Sequence, residues 1–319
     1  MSALSVNDLH VAIRGTEILR GVSFSLEAGK TLGVVGESGC GKSMTGLAIM
    51  GMLPPGGSVT RGTIHLDGRE LTQLRERDWI HIRGQSVALV MQDPFTSLNP
   101  VMRVGEQIAE VFQLHKGFTP KQAKAAAIEM IAKVGVPSPA DSAKKYPHQM
   151  SGGQRQRIVI AIAFAAKPKV LIADEPTTAL DVTLQAQILR LLKSLQEEEN
   201  TAVMLISHDI GVIGSVSDDI AVYYAGRVVE SGSVSTVIGS PSHPYTQALL
   251  QAMPKRGQGR LSVIGGQPPL LSDLPPGCAF APRCKHKFNK CSTEPGLLTA
   301  PSGNQTACWL AQESSQTSR

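Results

Sequence analysis

The stretch GESGCGKS, residues 36–43, constrains what this chain can fold into more than any other part of its sequence. The apolar run Thr31–Val35 precedes it, and a second apolar stretch, residues 44–53, follows it up to two prolines. This order predicts a strand, a glycine-rich loop and a helix. Glycine, four residues, glycine, lysine and a hydroxyl residue form a phosphate-binding loop in that context. We therefore expect an α/β domain that binds phosphate groups.

Each part of this loop has a physical role in binding phosphate. The glycines let successive backbone N–H groups turn toward phosphate oxygens, and the start of the helix adds partial positive charge. Lys42 is expected to reach the outer phosphates and Ser43 to ligate Mg²⁺. Cys40 lies close to Lys42 and to the helix start, conditions that lower the pKa of a thiol. The candidate phosphate-binding residues are Gly36, Glu37, Ser38, Gly39, Cys40, Gly41, Lys42, Ser43 and Met44.

Composition agrees with a globular protein of more than one part. Of 319 residues, 42% are hydrophobic and 18% are charged. A single core stops growing near ~250 residues, so we expect one large domain with an appendage or two domains. The longest apolar stretch, residues 158–173, is broken by Lys167, Pro168 and Lys169. A membrane-spanning helix needs ~20 apolar residues, so none is predicted.

Two features favour a location inside the cell. Asp8 stands where a secretory leader would need basic and then continuous apolar residues, so export is not expected. Five cysteines are an odd number and too few for a disulfide scaffold of this size. The sequence therefore favours a reducing compartment, the cytoplasm.

The composition changes near residue 236. The last 84 residues carry a net charge of +5, which equals the net charge of the whole chain. They also contain ten of the 20 prolines and four of the five cysteines. We therefore predict a main domain at residues 1–235 and a basic C-terminal domain at residues 236–319.

A pair of adjacent carboxylates follows a second apolar strand, residues 170–173. Ligands of open α/β sheets bind at the carboxyl ends of the strands, where Asp174 and Glu175 lie. Asp174 suits the coordination shell of a metal ion. Glu175 suits a general base that polarises the water attacking a terminal phosphate.

A third motif, SGGQ, lies shortly before the apolar stretch that begins at residue 158. Small residues at the start of a helix form a second anion site. Its residues are Ser151, Gly152, Gly153 and Gln154. With GESGCGKS before it and VLIADEP after it, the chain resembles the nucleotide-binding subunits of ABC transporters, in which SGGQ is the signature motif. The resemblance covers about residues 3–310.

The resemblance implies a fold and an assembly. The fold would be an α/β P-loop NTPase cassette, with a RecA-like core, an antiparallel β subdomain and an α-helical subdomain near residues 95–150. Two chains would pair head to tail, so that SGGQ of one closes over ATP held by the phosphate loop of the other. A capping box at Thr119 and Gln122, with Pro120 at the first helical position, predicts a helix ending at Gly135 within the helical subdomain.

The resemblance also assigns roles to residues outside the three motifs. Gln92, in LVMQDP, corresponds to a glutamine that touches Mg²⁺ and senses the membrane partner. His208, in LISHD, corresponds to a histidine that contacts the γ-phosphate, and Ala179, Leu180 and Asp181 form the D-loop. The family stacks an aromatic residue on adenine, but no aromatic residue precedes Phe24 here. Arg14 is the candidate in its place, because a guanidinium can stack on a ring.

The C-terminal cysteines suggest a metal site. Cys278, Cys284, Cys291 and Cys308 are separated by five, six and sixteen residues. Four thiols suit a 4Fe–4S cluster or a closed Zn²⁺ site, and the lack of a CxxC pair favours the cluster. Basic neighbours, Arg283, Lys285, Lys287 and Lys290, would lower the thiol pKa values and offset the charge of a cluster. Disulfides are the alternative.

The C-terminal sequence narrows the resemblance. SHPYTQALL and GCAFAPRC resemble the extension of the ATPases that serve oligopeptide, dipeptide and nickel importers, where such cysteines hold a 4Fe–4S cluster. This implies an ATP-hydrolysing peptide-importer subunit at the cytoplasmic face of the bacterial inner membrane. Its partners would be a second, different ATPase subunit, two permeases and an extracytoplasmic solute-binding protein. Nickel complexes, opines or another small solute are alternative cargoes. A soluble ABC ATPase acting on nucleic acid is disfavoured, since basic residues here lack interleaved aromatics.

Overall fold

The structure, a computed structural model, describes residues 2–178, 180–253 and 264–314. Its strands are β1 (Ser2–Ile13), β2 (Thr16–Glu27), β3 (Thr31–Val35), β4 (Gly57–Leu66), β5 (Arg69–Glu70), β6 (Val87–Val90), β7 (Val170–Asp174), β8 (Ala202–Ser207), β9 (Asp219–Tyr224), β10 (Arg227–Ser233), β11 (Leu298–Thr299) and β12 (Gln305–Thr306). Its α-helices are α1 (Lys42–Ile49), α2 (Glu76–Trp79), α3 (Pro94–Ser97), α4 (Val104–Lys116), α5 (Pro120–Lys133), α6 (Pro139–Ser142), α7 (Gly152–Ala165), α8 (Val182–Glu199), α9 (Ile210–Val216), α10 (Val234–Gly239), α11 (Pro244–Gln251) and α12 (Trp309–Ser314). None of the described helices is long and apolar enough to span a bilayer.

The chain divides into two compact units that are both discontinuous in sequence. The first unit comprises Glu27–Lys30 and Leu74–Met204. The second unit comprises Ser2–Leu26, Thr31–Gln73 and the described residues from Leu205 onward. Strand β8 therefore begins in the first unit and ends in the second.

The second unit is built on two sheets. One has the strand order β2-β1-β4-β5, with β1 and β4 antiparallel. The other runs β11-β12-β10-β9-β3, and in it β3 and β9 are parallel. All five residues of β3 are buried, as expected for a strand inside a sheet covered on both faces. Helix α1 follows β3, so the predicted strand, loop and helix are confirmed.

The first unit combines parallel strands with helices. Strands β6 and β7 pair in parallel, with Val87 opposite Val170, and β8 is the next neighbour of β7. The helices α4, α5 and α6 fall within residues 95–150. Helix α5 begins at Pro120, and the Thr119 hydroxyl accepts a hydrogen bond from the Gln122 N–H at 3.4 Å. The predicted capping box is thus present, and the helix ends at Lys133, next to the predicted stop.

The helix after the phosphate loop is shorter than its apolar sequence suggests. It was expected over residues 44–53, but α1 begins at Lys42 and ends at Ile49. Gly51 has φ 61, and the Met52 N–H donates to the Leu47 carbonyl at 2.8 Å. A glycine in the left-handed region closes the helix in this way before the prolines are reached.

The described residues after 235 lie in the same compact unit as the phosphate loop. Strand β12 pairs antiparallel with β10, with Thr306 opposite Glu230, so β11 and β12 extend the sheet that contains β3. A separate small C-terminal domain is not confirmed by this arrangement. The boundary near residue 235 stays a prediction.

Candidate functional site: a phosphate loop and its neighbours

The phosphate loop has the backbone that its glycines predict. Gly39 has φ 80 and Gly41 has φ 104, values in the left-handed region that favours glycine. Gly36 is closely surrounded, because a Cβ there would collide with the Tyr223 carbonyl and lie 2.8 Å from the Cys40 sulfur. A larger residue at position 36 would therefore displace β9 or the loop itself.

Lys42 is folded back over this loop. Its side chain is buried, and its Nζ donates to the carbonyls of Gly36 at 2.8 Å and Glu37 at 3.0 Å. Ser38 and Gly39, at the tip of the loop, are exposed. An ammonium group, glycines with positive φ and a helix N-terminus are the donor set that suits nucleotide phosphates. The loop therefore fits the phosphate groups of ATP.

The pKa of Cys40 moves in the direction opposite to that expected. Its side chain is buried, and burial raises the pKa of the thiol more than nearby Lys42 lowers it. The thiol therefore stays protonated near neutral pH. Desolvation outweighs the attraction of one ammonium group, so the buried Cys40 thiol is expected to be inert.

The first unit brings Gln92 and Glu175 together at the ends of β6 and β7. The Gln92 side-chain N–H donates to Glu175 Oε2 at 2.9 Å, and the Thr178 hydroxyl donates to the same oxygen at 2.8 Å. Asp174 is the last residue of β7, and Glu175 has φ 47, which turns the chain sharply out of the strand. The separate roles of the two adjacent carboxylates stay predictions. Carboxylate, hydroxyl and amide oxygens suit Mg²⁺.

The SGGQ motif forms the start of α7. Ser151 caps the helix: its hydroxyl accepts from the Gln154 N–H at 3.3 Å, while Gln154 Oε1 accepts from the Ser151 N–H at 3.1 Å. Gly153 is buried, and a Cβ there would lie 2.5 Å from the Leu184 side chain on α8. A Cβ on Gly152 would meet nothing within 4 Å in this chain. Gly153 is thus explained by internal packing and Gly152 is not.

The remaining predicted site residues are exposed at the ends of elements. Asp181 caps α8 by accepting the Leu184 N–H at 2.9 Å. His208 follows β8 directly, and Arg14 lies in the turn between β1 and β2 with φ 49. Ala179 of the expected D-loop lies outside the described residues. The roles of Asp181, His208 and Arg14 toward nucleotide stay predictions.

The four C-terminal cysteines come together, but not as an iron–sulfur site. Cys278, Cys284, Cys291 and Cys308 are free and line one cavity with a volume of about 20 Å³. One water molecule occupies roughly 10–15 Å³, so a space of about 20 Å³ is far too small for a cuboidal cluster. Among the described residues, no group of three or more His, Cys, Asp or Glu side chains could hold a metal ion.

The electrostatics of these thiols also differ from the expectation. Burial raises the pKa of Cys278, Cys284 and Cys308, whereas the basic neighbours were expected to lower it. Two of the four basic neighbours contact other groups: Arg283 binds Glu37, and the Lys290 ammonium lies 4.5 Å from the centre of the Trp309 ring. The predictions of an iron–sulfur cluster and of a metal-binding C-terminal region are therefore wrong.

Sequence reasoning missed two residues that contact the phosphate loop. Arg283 forms an ion pair with Glu37, 246 residues away in the sequence, and Tyr245 accepts the Glu37 N–H. In the sequence, Arg283 stands out only as a neighbour of Cys284. No local spacing pattern signals a contact between residues so far apart.

The fold and this loop define a phosphate-loop nucleotide-binding protein of the α/β class. Comparison with family models gives two matches, "ABC transporter" at residues 19–178 and "Oligopeptide/dipeptide transporter, C-terminal region" at residues 229–291. Similar solved structures include the dimeric ATP-binding cassette MJ0796 bound to ADP and Pi, with a TM-score of 0.65 and 26% identity over 72% of this chain and 98% of that one. Another is cbiO1 from Clostridium perfringens, with a TM-score of 0.66 and 25% identity over 75% of this chain and 91% of that one.

Curated relatives match over most of their length. The oligopeptide transport ATP-binding protein AppD of Bacillus subtilis is 47% identical, covering 92% of this chain and 90% of the relative. The oligopeptide transport ATP-binding protein OppD of Haemophilus influenzae is 44% identical, covering 97% and 98%. The dipeptide transport ATP-binding protein DppD of Escherichia coli is 44% identical, covering 90% and 89%. The chain belongs to the ABC transporter family and is one of its ATP-hydrolysing subunits.

Proposed function

We propose that this chain is the ATP-hydrolysing subunit of an importer that takes up dipeptides or oligopeptides. The observation that carries the proposal is the similarity to peptide-transport ATP-binding proteins, which extends through the C-terminal region beyond the ATPase motifs. The cassette alone is common to transporters of many cargoes, whereas residues 229–291 match the peptide-transporter region. The chain acts as a peripheral subunit at the cytoplasmic face of the membrane.

The site residues have separate roles in ATP binding and in hydrolysis. Lys42 and the loop N–H groups hold the β- and γ-phosphates, and Ser43, Asp174 and Gln92 supply oxygen ligands for Mg²⁺. A Mg²⁺ ion held by these residues would offset the charge that develops on the phosphates. Glu175, held by Gln92 and Thr178, accepts the proton of the attacking water. His208 contacts the γ-phosphate, and Arg14 stacks on adenine.

A second ATPase chain completes the site. The start of α7 is capped by Ser151, and Gly152 next to it leaves open space in this chain. Because glycine has no side chain, a glycine that contacts nothing in its own chain lets another molecule approach the backbone closely. The partner's nucleotide fits there, with Asp181 at the neighbouring start of α8. Closure of the pair around ATP then drives the permeases, and hydrolysis separates the pair.

The helices of the first unit offer a docking place for a permease. A cavity of about 480 Å³ is lined by α4, α5 and α6, with the apolar residues Met102, Ala109 and Ile128 beside charged Arg103, Glu106 and Lys124. A short amphipathic helix suits a groove with an apolar floor and charged rims. We propose that a short helix of the permease binds there, with two permeases and an extracytoplasmic binding protein completing the importer.

The function is tested by peptide uptake and ATP turnover of the assembled transporter in proteoliposomes. Replacing Glu175 by Gln should lower turnover by ~10²–10⁴-fold, the contribution of a general base, while ATP binding is retained. The matched control is Glu197→Gln, an exposed carboxylate on α8 that pairs only loosely with Lys193 at 3.7 Å. Unchanged turnover in Glu175→Gln would refute the assignment of the base.

Cargo is tested separately from hydrolysis. Purified transporter in vesicles should accumulate a radiolabelled dipeptide or oligopeptide when ATP is supplied on the side of this chain. Stimulation of turnover by a nickel chelate or an opine, without stimulation by peptides, would refute the peptide assignment and leave the ATPase assignment intact.

A further inference from the structure

Arg283 holds the side chain of Glu37 in the phosphate loop. Its NH1 and NH2 groups donate to the two carboxylate oxygens of Glu37 at 2.6 and 2.9 Å. The Arg283 side chain is only 4% exposed and that of Glu37 is 24% exposed. A two-pronged pair shielded in this way is geometrically specific and stronger than an exposed ion pair.

The other donors of Arg283 fix the guanidinium in place. Its Nε donates to the Gly265 carbonyl at 2.9 Å, and NH1 also reaches the Tyr224 hydroxyl at 3.3 Å. The hydrogen bonds to Glu37 are the main cause of a raised pKa of Arg283. The guanidinium therefore cannot move without losing contacts on several sides.

Tyr245 holds the backbone of the same loop residue. Its hydroxyl accepts the Glu37 N–H at 2.9 Å, and the side chain is fully buried. The ring lies 4.6 Å from that of Tyr224 and 5.4 Å from that of Phe280, measured between ring centres. Both the amide and the carboxylate of Glu37 are thus held by residues that follow the cassette in the sequence.

Glu37 also contacts Lys42, the lysine proposed to bind phosphate. The Glu37 carbonyl accepts a hydrogen bond from Lys42 Nζ at 3.0 Å, beside the Gly36 carbonyl at 2.8 Å. A shift of Glu37 moves one of these acceptors and, with it, the ammonium that binds phosphate.

We propose that Arg283 is a positioning residue for nucleotide binding, which fixes Glu37 and so sets the conformation of the phosphate loop. Tyr245 supports it through the Glu37 amide. The C-terminal segment then contributes to ATP affinity without touching ATP. This inference rests on phosphate binding by residues 36–43, as proposed above.

The test uses the purified full-length chain and measures its dissociation constant for fluorescent mant-ATP with Mg²⁺. Arg283→Gln and Glu37→Gln should each weaken binding about tenfold, equivalent to ~1.4 kcal/mol. Since both substitutions remove the same ion pair, the double variant should bind mant-ATP about as weakly as either single variant. Arg283→Lys should restore part of the affinity, because it keeps the charge and loses the two-pronged geometry.

A matched control removes a comparable charge elsewhere in the second unit. Arg61 pairs with Asp8 at 2.7 Å but its side chain is 72% exposed, so Arg61→Gln should leave the dissociation constant unchanged. In the assembled transporter, Arg283→Gln should raise KM for ATP and leave kcat near that of the parent, because Glu175 is untouched. A merely structural role would lower the melting temperature while leaving KM unchanged, and this result would overturn the proposal.

Failure of the inference is distinguishable from failure of the function on which it rests. Lys42→Ala should abolish mant-ATP binding. If it does so while Arg283→Gln binds like the parent chain, the positioning role is wrong and phosphate binding by the loop stands. If Lys42→Ala binds normally, the phosphate-loop assignment fails and the inference falls with it.

Discussion

His243 should make the folded chain sensitive to acid. Its side chain is almost fully buried, and burial lowers its pKa from the ordinary 6.5 to about 4, partly offset by a hydrogen bond with the backbone of Ala307. Its Nδ1 accepts the Tyr245 N–H at 3.0 Å at the start of α11. A proton at Nδ1 would remove that acceptor and would lie at the positive end of a helix. The folded state therefore requires the neutral ring.

The sign and size of the effect follow from the two pKa values. Because the pKa in the folded chain is below the unfolded value, stability is complete above about pH 6.5 and falls as pH drops toward about 4. One pKa unit corresponds to ~1.36 kcal/mol, so the complete loss is about 3 kcal/mol. About 2 kcal/mol of it is lost by about pH 5.

The measurement is the free energy of unfolding from denaturant titrations at about pH 7.5 and about pH 5. His243→Asn keeps an acceptor at the helix start and cannot titrate, so its stability should fall less than that of the parent chain by about 2 kcal/mol. Exposed His81, replaced by Asn, is the control and should follow the parent. Equal pH dependence in the parent and His243→Asn would refute the reasoning.

Three further outcomes are expected from individual side chains. Cys40, whose thiol pKa is raised by burial, should react with iodoacetamide at neutral pH only after unfolding, as followed by mass spectrometry; rapid labelling of the folded chain would contradict this. Glu230 is fully buried and accepts hydrogen bonds from two backbone N–H groups and one side-chain amide. Glu230→Ala should therefore lower the free energy of unfolding by ~3 kcal/mol, and a loss below ~1 kcal/mol would contradict this. Gly153→Ala should destabilise the isolated chain by ~1–3 kcal/mol through its clash with α8, whereas Gly152→Ala should leave its melting temperature unchanged and lower ATP turnover of the assembled transporter. Equal melting temperatures for the two glycine variants would contradict the packing argument.

The parts of the site that depend on neighbouring residues were predictable from the sequence. Lys42 contacts carbonyls five and six residues before it, and Ser151 and Gln154 bond each other across one helical turn. Such contacts can be predicted from the spacing of residues in the sequence, because local backbone geometry fixes them. The strands before the loop and before Asp174 were predictable for the same reason, since continuous apolar runs bounded by glycine or acidic residues are typical of buried parallel strands.

The missed features depend on contacts between distant residues. Nothing near Arg283 in the sequence indicates that its partner is Glu37 rather than a cysteine, because the topology alone brings them together. The cysteine sequence pattern correctly predicted that the four cysteines lie together, but the predicted iron–sulfur cluster was wrong. The pattern carries no information on the cavity volume or on the burial of the thiols. The end of α1 was misplaced because Gly51 precedes the prolines as a stop signal.

The pairing of β3 with β9 decides when the phosphate loop is completed during synthesis. The Thr31 N–H donates to the Asp218 carboxylate, 187 residues later, and β9 supplies the carbonyl against which Gly36 lies. At ~5–20 residues per second, a ribosome needs roughly 10–40 s to make the intervening chain. During that interval the GESGCGKS stretch lacks its supporting strand β9, so we expect a nascent chain that stalls before residue 219 to bind ATP more weakly than the complete chain.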